Sequence, residues 1–164
     1  MKKINLRFIT LTALISAICV IGSFIKVPGF ITTAALDSAP AFLSVAFLPP
    51  LFSGIAGGLG HLASALTSGF PSGPLHIIIA IEMFIIVFIF NMLHKKGFNI
   101  IKWLFLIVAN GILSAIPFYF IISPAFFIGA VPNLLVATVI NAVISMLAMP
   151  IIAKVFNERK VSNV

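Results

Sequence analysis

The chain has 164 residues, of which 62% are hydrophobic and 8% charged, and its net charge is +7. Soluble domains carry about 25% charged residues, so this composition excludes a soluble protein and describes an all-α integral membrane protein, with residues 1–164 as one transmembrane domain. The positive charge does not mark a nucleic-acid binder. Nine of the ten cations (Lys2, Lys3, Arg7, Lys95, Lys96, Lys102, Lys154, Arg159 and Lys160) flank apolar runs, as the cytoplasmic ends of membrane spans do; only Lys26 falls elsewhere.

Residues 6–25 are the first apolar run. A helix of that length is about 30 Å long, enough to span, and it exceeds the roughly 7–15 residues of a signal-peptide core. It reads as a retained span with a cytoplasmic amino terminus. The single cysteine, Cys19, lies within it and reads as a small packing residue. Residues 26–36 follow. Pro28-Gly29 breaks the helix, and the loop is long enough to fold back as an external lid.

Asp37-Ser38-Ala39-Pro40 has the form of a helix start, with Asp37 as an oxygen cap and proline in the first turn. The run 37–48 ends at Pro49-Pro50, and a second run covers 52–67. Both are short for a span. They form either two short spans or a re-entrant hairpin, and both readings return the chain to the outside. Short or interrupted segments of this kind point to transport sites. Ala56, Gly60 and Ser64 recur every fourth residue, as do Gly54 and Gly58, giving faces on which other helices pack closely. His61 follows Gly57 by one turn.

A turn-rich external loop leads to a clean span over 75–93, with His76 near its outer end and Glu82 two turns in. Residues 100–122 form the next span, with Asn110 inside and a kink expected at Pro117. Residues 123–133 read as a proline-punctuated external loop, and 134–155 as the last span, carrying Asn141. Six spans, or four plus a hairpin, with both termini in the cytoplasm result.

The ionisable residues within this hydrocarbon carry the functional argument. A carboxylate well inside a span costs about 2.5–3.5 kcal/mol on insertion scales, so Glu82 needs a partner or a polar cavity. His61 is equally deep. The bland account of each is a structural hydrogen bond; the functional account is a pocket for a polar guest. His76 is divided between binding and interfacial anchoring, and Asp37 between capping and binding. His76 and Glu82 are six residues apart, about 240° around a helix, and spacing does not pair them. Asn110 and Asn141 read as interhelical glue. There is no P-loop, no HExxH, no cysteine pair and no Gly-x-Ser-x-Gly, and the histidines fit no standard metal spacing. Nothing in the sequence points to an enzyme.

Three stretches, ALDSAPAFL (residues 35–43), GHLASALTSGFP (60–71) and LHIIIAIE (75–82), resemble the substrate-binding S components of energy-coupling factor (ECF) transporters, and among them the type assigned to α-ribazole, the nucleoside of the lower cobalamin ligand. Ala13 and Ala17 resemble the Ala-x-x-x-Ala pattern through which those proteins dock on the transmembrane T component. The resemblance implies a multi-pass protein of the bacterial plasma membrane that takes a vitamin precursor from outside. It also implies partnership with a T component and two cytoplasmic ATPases, which hydrolyse the ATP, with no cofactor bound by this chain. Asp37, His61 and Glu82 would meet ribose hydroxyls, Ser64 would add a hydroxyl, and Phe70 or another external-side aromatic would stack on the benzimidazole. Competing readings are an S component for another precursor (thiamin-related or pyridoxine-like) and a stand-alone proton-coupled secondary transporter with Glu82 and the histidines as its relay.

Overall fold

The computed structural model describes residues 6–28, 35–70 and 72–161, the last five as backbone only. Seven α-helices follow one another: α1 (Leu6–Ser23), α2 (Ala39–Leu43), α3 (Pro50–Thr67), α4 (Leu75–Lys95), α5 (Ile101–Gly111), α6 (Ile116–Ile121) and α7 (Pro124–Val161). Short 3-10 turns extend α2 over Ser44–Ala46 and separate α5 from α6 over Leu113–Ala115. No strand occurs among the described residues; an isolated bridge between Lys26 and Ala35 joins the two ends of the loop after α1. The lid expected over 26–36 lies mostly outside the described residues.

Among the described residues four helical stretches are long and apolar enough to cross a membrane: Leu6–Ser23, Leu75–Lys95, Ile101–Ile121 and Pro124–Phe156. Their outward faces are bare hydrocarbon. Ile77, Ile81 and Ile85 form one such stripe on α4, and Leu147 and Ile151 continue another on α7. Exposure of this kind is unfavourable in water and costs nothing in lipid.

Lipid tails are as apolar as leucine, so helices in a bilayer associate through close packing and polar contacts. The glycines of α3 serve that purpose on two faces. A Cβ at Gly60 would stand 2.8 Å from Cys19 Cβ on α1, and a Cβ at Gly57 would stand 2.8 Å from Val87 Cγ2 on α4. A Cβ at Gly54 or at Gly58 would stand 2.9 Å from the carbonyl oxygen of Phe84 or of Ala80, respectively. Along the other seam Phe8 packs on Phe52 with ring centroids 5.4 Å apart, Ser16 donates to the Ala56 carbonyl at 3.4 Å, and the Ser23 and Thr67 hydroxyls meet at 3.3 Å. These pairings ascend together, so α3 runs parallel to α1 and antiparallel to α4.

The chain therefore travels back between α1 and α3, and residues 37–49 make that journey. Helix α2 and its 3-10 extension are short, but Pro49 is extended (ψ 157°) and Pro50 opens α3, the division of labour that a proline pair imposes. Phe42 and Leu48 of this segment are among the most deeply buried side chains. Phe42 meets Phe90 edge-on at 6.0 Å, and Phe90 packs on Trp103 at 5.0 Å. Asn91, which the sequence did not single out, secures the turn by donating to the Leu48 carbonyl at 3.0 Å and to Ser53 Oγ at 2.7 Å. At the end of α4 Gly97 takes φ +79°, and Phe98 N–H returns to the Leu93 carbonyl at 3.1 Å, a glycine C-cap.

Two expectations change. Residues 124–133, expected in an external loop, belong to α7. Ser123 Oγ accepts the Phe126 amide at 3.1 Å and Pro124 takes the first position, so this is a capped helix start. Pro132 then lies inside a helix, where a membrane protein tolerates it. The kink expected at Pro117 falls earlier, at Ile112 (φ −126°, ψ −56°), and Pro117 sits in the first turn of α6. Proline excludes a regular turn before it, and the backbone opens there instead.

Candidate functional site

A cavity of about 100 Å³ lies between the segment entering α2 and helices α3, α4, α5, α6 and α7. Three of the ionisable residues singled out in the sequence line it: Asp37, His61 and Glu82. Each reaches it from a different element, so no local spacing reveals the grouping.

Asp37 is not the cap of α2. Ser38 occupies the cap position without a side-chain bond, and the Ala39 amide is taken by Asn141 Oδ1 from α7 at 2.8 Å. The reason lies in the tertiary contact. Asn141 also donates through Nδ2 to the carbonyls of Ala35 (2.9 Å) and Ala137 (2.8 Å), and Ser145 donates to the Ala39 carbonyl at 3.1 Å. With the helix start held from α7, the Asp37 carboxylate is left to accept the Ser38 hydroxyl at 3.1 Å and the Ser64 hydroxyl from α3, and to face the cavity.

Glu82 lies on the cavity side of α4, and its Oε2 is buried with no hydrogen-bond partner. A buried carboxylate oxygen without a donor is costly and is found chiefly where function retains it. His61, on α3, places Nε2 3.1 Å from Nδ1 of His76 on α4. His76 is fully buried and does not line the cavity; its other nitrogen accepts the Ser72 amide at 3.4 Å. The two histidines thus meet across the glycine seam that Gly57 and Gly58 allow.

Two other candidates fall outside. Phe70 packs edge-on against His76 at 5.5 Å and does not line the cavity. Ser64 does not line the cavity itself; its hydroxyl turns to the Cys19 carbonyl at 3.4 Å in the α1 seam and also reaches the Asp37 carboxylate. The aromatic wall is built instead from Phe118 on α6 and Phe126 on α7, whose rings lie 6.2 Å apart. Sequence reading missed these because it placed Phe126 in a loop; the Ser123-Pro124 cap signal would have found it. Asn110 donates to Thr138 at 2.7 Å, so it joins α5 to α7 as expected, and both residues also line the cavity. Ala13 and Ala17 lie together on the exposed face of α1.

The lining is mixed. Two carboxylates, an imidazole and two amides line the cavity together with two phenylalanines, Ile79, Met83 and Leu134. Such a site suits a guest with a flat apolar part and several hydrogen-bonding groups. Among the described residues no group of three or more histidine, cysteine or acidic side chains is placed to hold a metal ion. No protein-family model, curated protein or solved structure matches the chain.

Proposed function

We propose that this chain is the substrate-binding S component of an ECF-type importer in a bacterial plasma membrane, and that its guest is a vitamin precursor of the α-ribazole type. The observation that carries the reading is the convergence of Asp37, His61 and Glu82 on one cavity, with Glu82 Oε2 buried and unpartnered. A ribose hydroxyl supplies the donor that Glu82 Oε2 lacks, and a benzimidazole supplies the flat face that Phe118 and Phe126 accommodate. The cavity of about 100 Å³ is smaller than the roughly 300–1,000 Å³ of small-molecule pockets, so binding widens it. The interrupted backbone between α5 and α6 is the natural place for that movement.

In this reading the chain crosses the bilayer six times, residues 37–49 and α3 forming the second and third passes, with both termini in the cytoplasm. The exposed Ala13 and Ala17 face of α1 receives the T component, and two cytoplasmic ATPases hydrolyse the ATP. A proton relay through the histidines is disfavoured. The pair ends on the Ser72 backbone amide, which donates to His76 and has no basic site to take up a proton.

Isothermal titration of the detergent-purified protein with α-ribazole tests the guest. Saturable binding supports the proposal, and binding of a thiamin-related or pyridoxine-like compound in its place reassigns the substrate. Uptake that persists without any ATPase and collapses with the proton gradient rejects the S-component reading.

A further inference from the structure

The contact between His61 and His76 has a direction. Ser72 donates its backbone N–H to Nε2 of His76, and a backbone amide donates only. Nε2 of a neutral His76 is therefore the unprotonated nitrogen, and its hydrogen sits on Nδ1. That Nδ1–H points at Nε2 of His61, 3.1 Å away, which must then be an acceptor. His61, if neutral, carries its own hydrogen on Nδ1. A solvated neutral imidazole prefers the opposite tautomer, with hydrogen on Nε2.

The geometry also holds the relay in place. His76 is fully buried. Phe70 meets its ring edge-on at 5.5 Å, and Phe70 itself sits in the left-handed region, with φ 49°. Its N–H returns to the Ala65 carbonyl at 2.9 Å. The turn that ends α3 thereby braces the ring on which His61 depends.

We propose that His76 is a positioning residue that fixes the tautomer of His61, so that His61 presents Nδ1–H as a hydrogen-bond donor to the cavity and the guest brings an acceptor to that point. The inference rests on the reading of the cavity as a binding site, and it narrows the guest. Glu82 Oε2 asks for a donor group. His61 asks for an acceptor, such as an unprotonated ring nitrogen, an ether or a hydroxyl oxygen. A guest offering donors alone leaves the imidazole N–H unpaired in a buried site, which is costly.

Nitrogen NMR of the ligand-free protein labelled with ¹⁵N-histidine tests the relay directly. The chain has three histidines, and single substitutions assign them. Protonated Nδ1 and bare Nε2 are expected on both His61 and His76. His76→Asn retains an N–H near the position of Nδ1 and keeps His61 in that state. His76→Phe removes it and returns His61 to the Nε2–H form. With α-ribazole as probe, affinity falls about tenfold in His76→Phe and changes little in His76→Asn, the size of one lost hydrogen bond. An Nε2–H tautomer on wild-type His61 overturns the proposal, as does a His61 spectrum unchanged in His76→Phe. If His76→Phe does not fold, the wild type and His76→Asn decide. If α-ribazole binds no variant, the wild type included, the assigned guest is wrong, while the spectra still decide the tautomer.

Discussion

Asn141 closes the start of α2 from the far side of the bundle: its Oδ1 accepts the Ala39 amide at 2.8 Å, more than one hundred residues away in sequence. The contact sets the division of roles at the cavity, because it frees Asp37 from capping. The two residues should therefore fail in different ways when replaced. Asn141→Leu leaves the Ala39 amide and the Ala35 carbonyl without these partners in an apolar interior and is expected to cost about 1–3 kcal/mol, read as a lower midpoint in detergent unfolding. Asp37→Asn should leave that midpoint within about 0.5 kcal/mol while weakening binding of α-ribazole.

Glu82 should show the trade between stability and function. Glu82→Gln keeps the shape of the side chain and removes a carboxylate whose Oε2 has no partner. The ligand-free protein is expected to be as stable or about 1 kcal/mol more stable, because the buried charge is gone. Affinity for α-ribazole should fall at least about tenfold. Thermal unfolding with and without ligand reads both effects, and a destabilised apo protein with intact binding would contradict this account.

The seam between α1 and α3 has no room for a methyl group at Gly60, whose Cβ would stand 2.8 Å from Cys19 Cβ and 2.9 Å from Cys19 Sγ. Gly60→Ala should cost about 1–3 kcal/mol through overpacking. Pairing it with Cys19→Gly should recover part of that loss, because the clash is with the Cys19 side chain. Unfolding midpoints of the two single variants and the double variant measure the coupling.

Binding should follow the aromatic wall and not the loop aromatic. Phe118→Ala removes a ring that lines the cavity, and a stacking contact is worth about 0.5–1.5 kcal/mol beyond its area. Its effect on the calorimetric affinity is expected to exceed that of Phe70→Leu, whose ring lies behind His76. The opposite order would return the benzimidazole to Phe70.

The Ala13 and Ala17 face is exposed in the isolated chain. Ala17→Leu should leave the thermal midpoint and ligand affinity unchanged and abolish co-purification with the T component. Retained co-purification would move the docking face elsewhere.

The residue sequence by itself determined a good deal. Hydrocarbon content and the position of cations establish a helical membrane protein, because a bilayer admits few other backbones. The small residues at every fourth position on α3 predict close packing by another helix, because they leave a groove on the helix whatever lies opposite; that there are two seams, and which partner fills each, is not written there. Asp37, His61 and Glu82 stand out because ionisable groups are expensive in lipid. Only the tertiary structure decided that these three meet and that His76 stands behind His61. It alone placed Ser64 and Phe70 outside the cavity, supplied Phe118 and Phe126 as its aromatic wall, and gave the α2 cap to Asn141. Local signals fix what a segment prefers, and Ser123-Pro124 was such a signal, present in a stretch read as a loop because a second proline, Pro132, follows. A side chain's partner across the bundle depends on the register between helices distant in sequence, which is set by how the glycine seams and buried amides pack together.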